Sequence, residues 1–212
     1  MRILAVADEV DDFLYGDKLQ TLSPDFIVSC GDLPFDYLEF LVSSLNVPLV
    51  YVPGNHDPNV KPLDTTFVAL DHRIPIPGPE GCDNVDGRVL EVQGLRVAGL
   101  GGSLRYKDGP NQYTQAQMRW RAVKLEVRVR LKRVRSAHRK LDVLITHAPP
   151  FGVATAKDDA HVGFVAFHRI IRGFQPQLLV HGHVHPYGKA QPERIVEGTR
   201  IVNAIPSRLI EV

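Results

Sequence analysis

Residues 48–57 read PLVYVPGNHD, an apolar run followed at once by Gly54, Asn55, His56 and Asp57. A short run of this kind, rich in Val and bounded by Pro and Gly, reads as a strand, and the polar tail marks where the strand stops. The arrangement recurs on both sides. Residues 3–7 run into Asp8, residues 25–29 run through Cys30 into Gly31 and Asp32, residues 142–146 into His147, and residues 177–181 into Gly182, His183, Val184 and His185. Helical patterns at 12–22 and 35–45 separate the first three runs, which is the spacing of βαβ units on a parallel sheet. Ligands bind such sheets at the carboxyl ends of their strands. Every polar tail therefore belongs to one functional edge.

The remaining chain fits around that frame. Residues 58–86 are rich in Pro, Gly and Asp and read as loops. Residues 88–92 and 95–99, joined by Gln93 and Gly94, read as a hairpin. Gly101, Gly102 and Gly109-Pro110 mark a flexible passage. Residues 163–172 read as a helix, and residues 194–197, 199–204 and 207–212 as a closing antiparallel meander. The expectation is one α/β domain over residues 1–212 with two sheets. Its 212 residues can bury a sizeable core, and 44% hydrophobic with 23% charged residues is an ordinary globular balance. There is no apolar run long enough for a membrane span, and residues 3–7 are too few for a signal-peptide core. Cys30 and Cys82 make no disulfide framework, so a reducing cytoplasm is expected.

The net charge of +1 conceals a division. Residues 119–140 hold ten Lys/Arg and one acid, Glu126, for +9; fifteen bases and twenty-three acids elsewhere leave −8. Val123, Leu125, Val127, Val129 and Leu131 alternate as in a strand, while Trp120, Val123, Val127, Leu131 and Val134 fall at helical spacing. Thr114 with Gln117 fits a capping box. Arg and Lys favour helices and nothing offers a turn, so the segment 114–140 is read as a helix, with Trp120 in the core. Its charge suits either an anionic ligand near the site or a solvated face paired with an acidic body.

The strand ends assemble Asp8, Asp32, Asn55, His56, His147, His183 and His185, a mixed set of carboxylate, amide and imidazole donors suited to Mn, Fe or Zn. In order and type, Gly31-Asp32, Gly54-Asn55-His56-Asp57, His147 within Thr146-His147-Ala148-Pro149-Pro150, and Gly182-His183-Val184-His185 resemble the calcineurin-like metallophosphoesterase family. Within it, the chain looks most like the small bacterial and archaeal phosphoesterases related to the cyclic-nucleotide phosphodiesterase group. The resemblance implies a four-layer α/β/β/α sandwich of the metallo-dependent phosphatase type. It also implies two divalent metal ions: Asp32 bridging, Asn55, His147 and His183 completing one site, and Asp8 and His185 holding the other. The family's Asp-x-His appears as Asp8-Glu9-Val10, with Val10 where a ligand histidine is usual. Either that first site is weak and takes an extra water, or Glu9 or Asp11 turns inward; strand parity favours the water.

By the same resemblance His56 contacts the phosphoryl oxygen or protonates the leaving group, and Asp57 is placed to orient it. His161, just before a helix, is a candidate substrate contact. His181 reads as a strand residue and Cys30 as a small buried one. The implied function is hydrolysis of a small phosphomonoester or phosphodiester by metal-activated hydroxide attacking phosphorus in line. Two alternatives stand beside it. A nucleic-acid-directed phosphodiesterase or nuclease is suggested by the +9 segment, although no aromatic stacking series accompanies it. A metal-stabilised interaction scaffold without turnover is the other, and the presence of His56 argues against it.

Overall fold

A computed structural model describes residues 1–60, 78–131, 141–154, 159–186 and 192–212. Its first sheet contains β1 (Arg2–Val6), β2 (Phe26–Ser29), β3 (Leu49–Tyr51) and β4 (Cys82–Asn84), all parallel. Helices α1 (Lys18–Leu22) and α2 (Phe35–Leu45) connect the first three of these strands. The second sheet begins with the hairpin β5 (Val89–Val92) and β6 (Leu95–Leu100). Then come the short parallel pair β7 (Ser103–Leu104) and β8 (Gln112–Tyr113), and helix α3 (Gln115–Leu131). β9 (Val143–Thr146), α4 (Val165–Phe174), β10 (Leu178–His181), β11 (Arg194–Val196) and β12 (Thr199–Asn203) complete that half. β13 (Ser207–Glu211) ends the chain.

Strand order is β13-β1-β2-β3-β4 in one sheet and β11-β12-β10-β9-β6-β5 in the other. Alternation along each strand explains why the sheets stack. Ile3, Ala5 and Ala7 join Phe26, Val28, Val143, Ile145, Leu178 and Val180 in a core between the sheets. Leu4, Val6, Ile27 and Leu49 point the other way, onto Leu19, Leu38 and Leu41 of α1 and α2. Leu144 and Leu179 point onto Met118, Leu125, Phe167 and Ile171 of α3 and α4. Both faces of each sheet are thus apolar, which is why the strands read as continuous apolar runs. The result is the expected α/β/β/α order of layers. Among the described residues no helix is long and apolar enough to cross a membrane.

Most expected elements form, with five corrections, the first being that β4 pairs with β3 within residues 58–86, read as loops, of which 61–77 lie outside the described residues. The helix expected over 12–22 is broken: a 3₁₀ turn at Asp12–Tyr15, capped by Asp11, gives way at an extended Gly16 to the short α1. The closing meander is also incorrect. β11 and β12 form a tight hairpin, but β12 already has β10 on its other side, so β13 crosses to the open edge of β1 and pairs there antiparallel. Residues 101–113 are organised rather than flexible: β7 and β8 pair, and the Asn111 side chain donates to the carbonyls of Gly54 and Asp57. Finally, Trp120 is 68% exposed instead of core.

The hairpin at Gln93-Gly94 has both turn residues at positive φ, 49° and 80°, as a tight two-residue turn requires. The capping box at α3 is reciprocal: Gln117 N–H donates to Thr114 Oγ1 at 3.2 Å, and Thr114 N–H donates to Gln117 Oε1 at 2.8 Å. Of the basic residues, Arg121 pairs with Asp86 at 2.6 Å, and the buried Glu126 receives Arg169 at 2.5 Å and Arg130 at 3.6 Å. Arg128 donates to the Gly87 carbonyl. Residues 132–140 of the segment, with Lys132 and Arg133, lie outside the described residues.

The cap yields a direct stability expectation. Thr114→Ala removes an N-terminal acceptor and costs about 1 kcal/mol, while Thr114→Ser keeps most of it. Urea unfolding of the two variants checks the difference.

Candidate metal centre

Sharp turns at two strand ends set the geometry. After β1 the chain reverses at Asp8, with φ 61°, and Glu9 N–H donates back to the Ala7 carbonyl at 2.6 Å. After β10 it does the same at His183, with φ 66°, and Val184 N–H donates to the Gly182 carbonyl at 2.8 Å. Each is an i→i+2 closure with positive φ, a rare and strained conformation for a residue with a side chain. The two turns face each other, and His183 N–H donates to Asp8 Oδ2 at 2.9 Å. Gly182 permits this approach, because a Cβ there would overlap Asp8 Oδ2 and lie 2.7 Å from Ala7 Cβ.

Asp32, at φ 57°, is fixed in a similar way. Its Oδ1 accepts from His56 N–H at 2.7 Å, and its own N–H donates to Asp57 Oδ2 at 3.0 Å. Asp57 Oδ2 also accepts from Gly54 N–H at 2.8 Å. The Asp57 carboxylate therefore ties the loop after β2 to the loop after β3. It does so instead of the expected orienting of the His56 imidazole: among the described residues, its side-chain hydrogen bonds go to backbone.

His147 is fully buried at the end of β9. Its Nδ1–H donates to the Cys30 carbonyl at 2.7 Å, and its Nε2 faces Asn55 Oδ1 at 2.9 Å and Asp32 Oδ2 at 3.3 Å. Cys30 thus contributes its carbonyl, while burial holds its thiol protonated, well above the ordinary value. His183 donates from Nε2 to the Ala160 carbonyl at 3.1 Å. One potential ligand atom from each of Asp8, His147 and His183 lies within 4.8 Å of the others. His185 donates from Nδ1 to Glu9 Oε1 at 2.7 Å.

Charge is balanced tightly. Burial pushes Asp8 up to about 6, against the pull of His147 and the His183 N–H. Burial opposes a proton on His147, yet the Asp8 charge and the contact with Asp32 raise it to about 9. Burial also acts upward on Asp32, where the His147 hydrogen bond and charge prevail and hold the carboxyl below its usual range. Burial and the neighbouring His147 lower His183 to about 3, which leaves its Nδ1 a lone pair. Burial lowers His181 to about 4; it donates to the Gly182 carbonyl at 2.9 Å and lies outside the ligand cluster, as a strand residue should. A cluster of carboxylate, amide oxygen and neutral imidazole that relies on a histidine proton for its positive charge fits a divalent cation.

The cluster opens into a cleft of about 480 Å³ lined by Asp8, Asp32, Asn55, His183 and His185, with His56, His161 and Tyr106 beside them. His56 is exposed, and His161 stacks on His183 with ring centroids 4.8 Å apart. Tyr106 was not anticipated; its hydroxyl accepts from Asn55 Nδ2 at 3.4 Å. Nothing in the residues around it announces the role, because only the folding of residues 101–113 over the Asn55 loop brings it there. A larger groove, about 1250 Å³, lies between α3 and α4 and is lined by Trp120, Arg130 and Arg169, among others. It holds none of the predicted site residues. Arg128 and Arg130 do not line the cleft beside the ligand cluster.

A family model described as "Metallophosphoesterase, calcineurin superfamily" matches residues 33–206. The chain belongs to this superfamily. The match begins just past Asp32 and includes neither Asp8 nor Asp32. Among solved structures, TT1561 of Thermus thermophilus is similar in fold at 18% identity and a TM-score of 0.60, over 96% of this chain and 88% of that one. A single mutant of vacuolar protein sorting 29 from Entamoeba histolytica matches at 13% identity and 0.44, over 96% and 73%. The Cryptosporidium parvum protein of that name matches at 12% and 0.45, over 96% and 72%. No curated protein matches the chain.

Gly182→Ala should displace the Asp8 carboxylate and press on Ala7 at the edge of the core, leaving the rest of the fold in place. The expected outcome is a cation affinity lower by about 10- to 100-fold, the usual cost of losing an outer support of a metal site. Metal analysis of the purified variant, with an unchanged circular dichroism spectrum, checks it.

Proposed function

We propose that this protein hydrolyses phosphoesters, monoester or diester, at two divalent cations held by Asp8, Asp32, Asn55, His147, His183 and His185. The observation that carries the reading is the meeting of Asp8, His147 and His183 within 4.8 Å, with Asp32 and Asn55 on the same His147 nitrogen. Superfamily membership supports metal-dependent phosphoester chemistry in general. Bound cations would polarise the phosphoryl oxygens and make a water acidic enough to attack at neutral pH.

The chain's own residues supply the rest. Asp32 Oδ2 is 3.3 Å from His147 Nε2 and its charge acts on Asp8, which suits it to touch both cations. His56 is held at its backbone by Asp32 and exposed beside the cleft, where its imidazole can steady a phosphoryl oxygen or give a proton to the leaving alkoxide. Water forms the new bond to phosphorus as the bond to the alkoxide breaks, so no covalent protein adduct is needed. His161 and Tyr106 border the same space and are the side chains placed to meet the organic part of the substrate. A cleft of this size suits a small phosphorylated molecule. The described arginines of α3 lie elsewhere, so none of the described residues lining the cleft favours nucleic acid as substrate.

Chelation should abolish hydrolysis across a panel of phosphomonoesters, phosphodiesters and cyclic nucleotides, and Mn should be among the metals that restore it. Activity surviving exhaustive chelation would falsify the metal-dependent reading. His56→Ala should keep its cations while turnover falls by about 10² or more. Loss of metal by a folded His56→Ala protein would instead place His56 among the ligands.

A further inference from the structure

The three histidines proposed as ligands are held by one common device. His147 is aimed by the Cys30 carbonyl on Nδ1, and His183 by the Ala160 carbonyl on Nε2, so in each ring the other nitrogen is left for the ligand cluster. On His185 the corresponding oxygen is Oε1 of Glu9, 2.7 Å from Nδ1. It is a side chain and it carries charge.

We propose that Glu9 restores the first cation site that lacks a histidine at position 10, by accepting the Nδ1–H of His185 and so presenting the Nε2 lone pair to a divalent cation. This rests on the metal reading above and assigns Glu9 a positioning role within it. Three observations carry it. Val10 packs against the cluster beneath α1 and α2, on the side of the sheet away from the ligands. Asp11 is engaged elsewhere, accepting from Phe13 N–H at 3.1 Å and from the Ser207 hydroxyl. The turn at Asp8 ends strand alternation, so counting every second residue from Asp8 no longer gives the side facing the site. That turn delivers Glu9 to His185.

The chemical logic is that of a carboxylate–histidine–metal relay. A carboxylate on one ring nitrogen fixes the tautomer and strengthens the other nitrogen as a donor, and removing such a partner typically weakens metal binding by about 10- to 100-fold. Glu9 also places a negative charge beside a cation that has three protein ligands, Asp8, Asp32 and His185, rather than four. A lost imidazole is thereby offset by a better one.

The test is calorimetric titration with Mn of the metal-free unmodified protein, Glu9→Ala, Glu9→Gln, His185→Ala and the Glu9→Ala/His185→Ala double variant. The unmodified protein should bind two cations in two steps. In Glu9→Ala the weaker step should fall by about 10- to 100-fold with the tighter step unchanged. Glu9→Gln should be intermediate, since its amide oxygen still accepts the Nδ1–H without the charge. Glu9→Ala should add nothing in the His185→Ala background, because it acts through that ring. Nitrogen NMR of the metal-free protein should show His185 protonated at Nδ1, and this preference should disappear in Glu9→Ala. Two steps unaltered in Glu9→Ala, additive losses in the double variant, or an unchanged His185 tautomer would each overturn the role of Glu9 and leave the metal reading standing. Failure of the unmodified protein to bind any cation would overturn both.

Discussion

The hydrogen bond from His183 N–H to the Asp8 carboxylate joins the ends of two separate sheets, and the active edge depends on it. For the sheets to come this close, the core between them must thin toward their carboxyl ends, and it does. Inward residues shrink from Ile3 through Ala5 to Ala7, from Phe26 through Val28 to Cys30, and from Leu178 through Val180 to Gly182. Val202 and Ala204 follow the same taper. Large side chains hold the sheets apart at one end and small ones let them converge at the other. Packing of the core therefore sets the distance between ligands that belong to different layers.

Convergence has an electrostatic cost. Bringing Asp8 and Asp32 together in a mostly buried place removes them from water, and each buried ion loses several kcal/mol of hydration even after relaxation. The protein answers with oriented N–H groups, from His183 onto Asp8 and from His56 onto Asp32, and with a proton on His147. A divalent cation held by Asp8, Asp32, His147 and His183 would take the place of that proton, use the same lone pairs and relieve the repulsion between the carboxylates. Strain at Asp8, Asp32 and His183 is consistent with an edge shaped for binding instead of for stability.

Much of this was legible in the sequence. Apolar runs ending in Asp, Asn and His mark parallel strands and the edge where they meet, because burial on both faces leaves no room for polar residues before the strand stops. What was hidden depends on backbone direction and on contacts distant in the chain. Parity counted from Asp8 left Glu9 facing away from the site, whereas the turn at Asp8 carries its carboxylate to His185 Nδ1. Adjacency suggested that Asp57 serves His56, whereas two backbone N–H groups from different loops claim its carboxylate. Trp120 shares the helical spacing of core residues, yet Met118, Ala122, Leu125 and Val129 form the face that packs. A helix with apolar residues on two faces cannot tell the reader which one is buried.

The side chains around the cluster divide into two groups with different constraints. Cys30 and Ala160 orient the buried histidines through backbone carbonyls, which no substitution that preserves the fold can remove. Glu9, His161 and Tyr106 act through side chains on turns and loops, and any of them can change without disturbing a sheet. Under the proposed function, the buried ligands would be fixed by the fold, whereas metal affinity at the more exposed position and the fit to the organic part of a substrate would be adjustable. Val10, where the resemblance leads one to expect a histidine, would fall on the adjustable side. A neighbour on the same turn, Glu9, would be able to compensate, because the ring it steadies, His185, is only partly buried and within reach of a flexible carboxylate.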